Sequence, residues 1–307
     1  MTLPPRPDWA DKYAGSNPDE RFLDIAALMQ AHGLPRGQAV EVQNHFRDLT
    51  RAQPQGDRDA QYAEALARAR FIVVFDLDET LLDQRFDDPA LARGCHEIEV
   101  PSEGGPPRPV KLTPGWAEAI GRVHELGGAV VLFSANLDDR CYAIARRWVL
   151  DGVPILEHPA IAGFLTNSHL VLQPKQAGSP VVEPSKDLRI VDPELRRAII
   201  VDDNPTRLFQ FANVRLVKKF QADPYCAATA AELRAAHEAS LRVVVDEVED
   251  AVRYMDAHPG TSFAQAYLPY TVLGQVTVRW LRAGAARSEA EAIAHLRAHP
   301  ELADDHF

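Results

Sequence analysis

RFIVVFDLDETLLDQ, residues 70–84, runs five apolar residues straight into Asp76, Asp78, Thr80 and Asp83. FIVVF (71–75) has no polar alternation, so it reads as a strand buried on both faces, as parallel sheets require. The charge at its end has two readings. A solvated loop after a strand is commonly polar, and an isolated Asp-x-Asp fits that reading as well as it fits a functional one.

The same grammar repeats outward from this strand. AVVLF (129–133) and RAIIV (197–201) are further buried strands, and VRLVKKF (214–220) is a candidate for another. PGWAEAIGRVHELGG (114–128) and LDDRCYAIARRWVLDG (137–152) carry helical periodicity between them. Strands alternating with helices specify an α/β domain with a parallel sheet. Within it, HEIEV and RPVKL around PSEGGPP (residues 84–112) predict a small β-hairpin insertion, and 164–185 form a longer irregular insertion with strand-like pieces.

The flanking segments are helical. Asn17 caps a first helix with Pro18 at its opening and Glu20 completing a capping box; a second spans Gln38 to Ala52, and a third runs from about Asp57 to Arg70. After Asp223 the chain turns helical to about His258, and a last helix opens at Ser288 with Glu291 in capping-box position. The expected division is a helical N-terminal extension (1–70), an α/β core (71–255) and a mostly helical C-terminal extension (256–307).

Composition narrows the class. An apolar fraction of 46% allows a full core, and a net charge of −11 disfavours non-specific binding to nucleic acid or anionic membrane. No run approaches the length of a membrane span, and MTLPPRPDWADKYAG lacks the apolar segment of a signal peptide, so the expectation is a soluble cytoplasmic protein. Cys95, Cys141 and Cys226 are odd in number, far apart and without a CxxC pair, which predicts reduced, partly buried thiols. Nothing in the sequence fixes an oligomeric state.

In an open parallel sheet, ligands sit at the carboxyl ends of the strands. Asp76 and Asp78 follow the first strand, Ser134 ends the second in VVLFSAN, and Asp202, Asp203 and Asn204 end another in AIIVDDNP; Lys186 stands between in SKDL. Jointly they suit phosphoryl transfer, which needs a nucleophile, a metal to offset phosphate charge, and donors on the equatorial oxygens. An aspartate can attack and carry the phosphoryl group, and a second carboxyl can protonate the leaving oxygen and later deprotonate water. Hard oxygens from Asp76 and Asp203 suit Mg²⁺, while Ser134 and Lys186 supply a hydroxyl and a positive charge.

DLDETLL, LTPGWAEAIGRVHELGGAVVLFSAN and SKDLRIVDPELRRAIIVDDNPTRL resemble the haloacid dehalogenase superfamily of phosphohydrolases. Within it they are most similar to the FCP/SCP branch, the NLI-interacting-factor-like phosphatases of the RNA polymerase II C-terminal domain. The resemblance covers roughly residues 71–250 and implies a Rossmann-like core and a Mg²⁺-dependent phosphatase. It further implies Asp76 as nucleophile and Asp78 as general acid/base, with Asp76, the Asp78 carbonyl and Asp203 on Mg²⁺. Thr80, Ser134 and Lys186 are grouped around the phosphoryl group, Thr80 bracing the loop. Asp202 orients Lys186 or a metal-bound water, and Asn204 supports the same turn. An acid at position 78 favours phosphatase over dehalogenase. The family's usual Thr-Ala-Ser is Ser-Ala-Asn here, and the 164–185 insertion exceeds the family norm, so substrate contacts there do not transfer. A phosphoprotein substrate is implied, with a small phosphate ester or nucleotide as the competing class.

Other assignments explain less. An EF-hand needs Gly where Leu81 stands. A receiver domain would put the acidic pair on its first strand, and a sugar-nucleotide transferase leaves Ser134, Lys186 and Asp202–Asp203 unexplained. A non-catalytic phosphate-binding scaffold has no use for the complete set. Trp116 and Trp148 read as core, His96, His124 and His169 lack ligand spacing, and Asp83 reads as a surface residue. The aromatic residues Phe263, Tyr267, Tyr270 and Trp280 read as packing, or as cover for a partner or the cleft.

Overall fold

Unbroken apolar strands need cover on both faces, and the computed structural model of the chain supplies it. It describes residues 57–102, 105–174, 182–228, 231–285 and 288–306, with Gly33 and Pro35. The helices expected from Asn17 and over Gln38 to Ala52 lie outside the described residues.

Helix α1 (Asp57–Arg68) leads into β1 (Phe71–Phe75). β1 is the middle strand of a five-stranded parallel sheet with β5 (Gly128–Phe133) and β8 (Ile161–Leu165) on one side, and β11 (Ala198–Asp202) and β12 (Val214–Leu216) on the other. Because successive side chains point to opposite faces, β1 feeds two cores. Phe71, Val73 and Phe75 join Val130, Leu132, Ile199 and Val201 in one. Ile72 and Val74 join Val131, Phe133, Ala198 and Ile200 in the other.

The first core is covered by α3 (Trp116–Glu125), α4 (Asp138–Ala145), α6 (Ala231–Ala257) and α7 (Phe263–Tyr267). Gly128 is dictated by this packing: a Cβ there would stand 2.4 Å from the Phe71 ring, which stacks on Phe263 at 4.4 Å between centroids. Trp148 is buried, with Trp116 edge-on to it at 5.1 Å. Helices α8 (Val272–Ala285) and α9 (Glu289–Ala298) form a smaller cluster with Leu268, and α9 opens on the expected Ser288–Glu291 capping box.

The expected hairpin is present and larger than a hairpin. β3 (Ile98–Ser102) and β4 (Gly105–Leu112) pair antiparallel, and β2 (Leu82–Asp83) joins β4 to give a three-stranded sheet, with α2 (Pro89–Cys95) between β2 and β3. In the second insertion β9 (Val171–Pro174) and β10 (Val182–Ser185) pair antiparallel.

Two expectations are corrected. The helix expected over 137–152 ends at Ala145, and β6 (Val149–Leu150) and β7 (Val153–Pro154) follow as a short hairpin. Asp151 and Gly152 both have positive φ, 51° and 80°, the pairing that a two-residue primed turn requires, and it overrides helical periodicity. The thiols expected to be reduced are instead partly oxidised: Cys95 at the end of α2 bonds Cys226 in α5 (Ala222–Ala227) across 131 residues, with Cα atoms 6.0 Å apart. Spacing could not reveal a partner that only tertiary folding brings near. Cys141 stays free and buried, its thiol pushed up to about 12 by burial.

Candidate active site

Asp76 continues β1, its N–H donating to the Val201 carbonyl. The chain then turns sharply. The Leu77 carbonyl accepts from the N–H groups of Thr80, Leu81 and Leu82, Glu79 takes a left-handed φ of 64°, and Asp78 bridges to Leu82. Leu77, Leu81 and Leu82 are buried and anchor this turn, which leaves the polar residues between them facing the strand ends. Alternation of anchor and polar residue is what FDLDETLL encodes.

Four strand ends converge there. The Lys186 ammonium, 2% exposed, donates to Asp76 Oδ1 and, at 2.6 Å, to Asp202 Oδ2. Asp76, Asp202 and Asp203 place carboxylate oxygens within 4.8 Å of one another. The Thr80 hydroxyl donates to Asp203 Oδ1 at 3.3 Å and accepts the Asp203 N–H at 3.1 Å, while the Thr80 carbonyl accepts from Thr113 Oγ1. Ser134 is buried, donates to Asp78 Oδ2 at 2.9 Å and accepts the Asn136 N–H. Asn204 donates its N–H to Asp202 Oδ1 and caps the next turn through Thr206. All eight residues singled out from the sequence therefore meet in one place.

Electrostatics make the cluster deficient in positive charge. Burial pushes the Asp76 carboxyl well above the usual range, with Asp202 and Asp78 adding to it and Lys186 opposing. Burial alone would lower Lys186, but Asp76 and Asp202 outweigh it and hold the ammonium charged. Asp203 is raised to about 6 by burial, Asp202 and Glu79, against Lys219. Carboxylates that are costly to ionise, grouped with all-oxygen donors, fit a hard divalent cation, whose charge would offset their repulsion.

Asp83 corrects its expected surface place. It is 4% exposed, and its carboxylate accepts the N–H of Arg85 (2.9 Å) and of Ala222 (2.8 Å). Its burial follows from pairing of β2 with β4, a long-range event that the local sequence does not announce. Two contacts to Asp78 were also not anticipated. Gln84 Nε2 donates to Asp78 Oδ1 at 2.9 Å, and Asn136 Nδ2 stands 3.5 Å from the same oxygen. The departure from Thr-Ala-Ser to Ser-Ala-Asn was the visible signal for Asn136; Gln84 had none. Glu79 pairs with Arg85 at 2.9 Å and with Lys219 at the rim.

Comparison with known proteins gives the family. The NLI interacting factor-like phosphatase family matches residues 71–238, more than half of the chain. Among solved structures, a fission yeast RNA polymerase II CTD phosphatase, an Fcp1 variant bound to beryllium fluoride, aligns at 11% identity over 75% of this chain and 69% of that one, with a TM-score of 0.36. A second, Fcp1 described as an essential RNA polymerase II CTD phosphatase, aligns at 14% identity over the same shares, with a TM-score of 0.38. No curated protein matches the chain. The chain is a phosphatase and belongs to the NLI interacting factor-like phosphatase family.

Proposed function

We propose that this phosphatase hydrolyses phosphomonoesters through a phosphate carried on Asp76, with Asp78 as general acid/base and Mg²⁺ as cofactor. The observation that carries the reading is the position of Asp76, at a strand end, held by Lys186 and grouped with Asp202 and Asp203. A carboxylate oxygen of Asp76 attacks phosphorus, the bond to the leaving oxygen breaks, and Asp78 gives that oxygen its proton. Asp78 then takes a proton from water, whose oxygen attacks phosphorus and breaks the acyl-phosphate bond, releasing inorganic phosphate and restoring both carboxyls. Ser134 and Lys186 donate to the equatorial oxygens, Asp202 fixes Lys186, and Thr80 braces Asp203. Asp76, the Asp78 carbonyl and Asp203 would hold Mg²⁺, which supplies charge neutralisation for the transferring phosphoryl group.

Phosphorylated protein is the substrate class proposed here, as the family resemblance implies. In support, the insertion between β1 and β5 is one three-stranded sheet and the short helix α2, not a domain-sized lid, and Asp78 stays partly exposed. Residues 71–255 are taken as the catalytic unit, with 1–70 and 256–307 as extensions. No helix among the described residues is long and apolar enough to cross a membrane. A cytoplasmic location belongs to the same proposal.

Turnover of an aryl phosphate, a phosphopeptide panel and a panel of phosphorylated metabolites tests the reading. Chelation should abolish turnover and Mg²⁺ restore it, with phosphopeptides preferred. Activity that survives exhaustive chelation refutes the metal role of Asp203, and preference for small esters refutes the protein-substrate assignment.

A further inference from the structure

We propose that Gln84 is a positioning residue for proton transfer, holding the Asp78 carboxyl in one orientation so that Oδ2 carries the proton. The inference rests on the assignment of Asp78 as general acid/base. Gln84 Nε2 donates to Asp78 Oδ1 at 2.9 Å, and Ser134 Oγ donates to Asp78 Oδ2 at 2.9 Å. A carboxylate only accepts, so the amide must turn its NH₂ toward it; the carbonyl end would repel.

Gln84 and Ser134 are not equivalent donors, and Asn136 Nδ2, at 3.5 Å from Oδ1, is a longer third contact. Ser134 also serves the phosphoryl group in the proposed mechanism, and turning its hydroxyl to that group frees Oδ2 on the substrate side. Gln84 has no such second task, so Oδ1 stays occupied. The proton given to the leaving oxygen then comes from Oδ2, and the one taken from water returns there; Gln84 exchanges no atoms.

Gln84 is held firmly enough to act in this way. It directly follows β2, whose Leu82 and Asp83 pair with Leu112 and Lys111 of β4. Asp83, on one side of it, accepts the N–H of Arg85 on the other and of Ala222 across the fold. The buried Asp83 thus gives Gln84 a fixed base, and a side chain anchored at its root loses less freedom on forming the bond.

The test is kcat/KM across phosphate esters whose leaving groups run from p-nitrophenol to simple alcohols. Poor leaving groups need the proton and good ones do not, so the aryl-to-alkyl ratio reads proton donation. Gln84→Met keeps size and removes the donor. It should raise the ratio about tenfold, and Gln84→Ala likewise. Asp78→Asn should raise it on the order of 100-fold or more. A wild-type ratio in Gln84→Met beside a raised ratio in Asp78→Asn would leave Gln84 as packing only and overturn the inference. A flat ratio in Asp78→Asn would overturn the acid/base assignment itself, and the inference with it. Equal melting temperatures of wild type and Gln84→Met separate either outcome from misfolding.

Discussion

Lys186 is the residue on which structure and chemistry depend together. Its buried ammonium lies between two buried carboxylates, so removing it leaves Asp76 and Asp202 facing each other without compensation. Lys186→Met should cost about 3–5 kcal/mol and eliminate turnover. Adding Asp202→Asn should recover part of the stability and none of the activity, a coupling that a double-mutant cycle by chemical denaturation measures. Additive losses would mean that the three groups do not act as a unit. At this scale the sequence was most legible, because phosphoryl transfer needs particular groups at strand ends and those groups were there to be read. It was least legible where a role is made by distant pairing, as with Asp83 on Ala222, or by a side chain of no special chemistry, as with Gln84.

Among the elements, β1, β5 and β11 lie within a residue of where unbroken apolar runs put them, since burial on both faces leaves a run with no polar interruption. The hairpin at 149–154 was hidden by periodicity that continues past Ala145 and yields to the Asp151-Gly152 turn. Helix α8 shows a tighter constraint. A Cβ on Gly274 would fall 1.7 Å from the Leu268 carbonyl oxygen, a backbone atom that cannot swing away. Gly274→Ala should therefore destabilise the protein by about 3 kcal/mol, visible as a lower unfolding midpoint. An unchanged midpoint would mean that α8 does not pack this closely.

Across the whole molecule, the chain is tied at two places that are remote in sequence. Cys95–Cys226 joins the insertion to the segment after β12, and Cys141 is the one cysteine left free. Thiol titration of the denatured, unreduced protein should find one reactive thiol, and reduction should lower stability by about 2–4 kcal/mol; three thiols would contradict the bond. The second tie holds the C-terminal helices. Arg297, 7% exposed, donates to Asp250 at 2.6 Å and to the Ala266 carbonyl at 2.9 Å, with its guanidinium 4.5 Å from the Tyr254 ring centroid. Burial would raise Asp250, but Tyr270, Arg297 and Arg253 outweigh it and hold its carboxyl below the usual range. A depressed carboxylate stabilises the fold above its unfolded value and loses that contribution as pH falls through the folded one. As pH falls below about 4 the melting temperature should fall more steeply in wild type than in Asp250→Asn. Equal slopes would remove Asp250 from the account.

The central claim is a covalent phosphate on Asp76, and acid-quenched labelling tests it most directly. With a radiolabelled phosphate ester and Mg²⁺, Asp78→Asn should retain a hydroxylamine-sensitive label on the peptide bearing Asp76, and Asp76→Asn should take up none. Label on another residue, or full turnover by Asp76→Asn, would contradict the account.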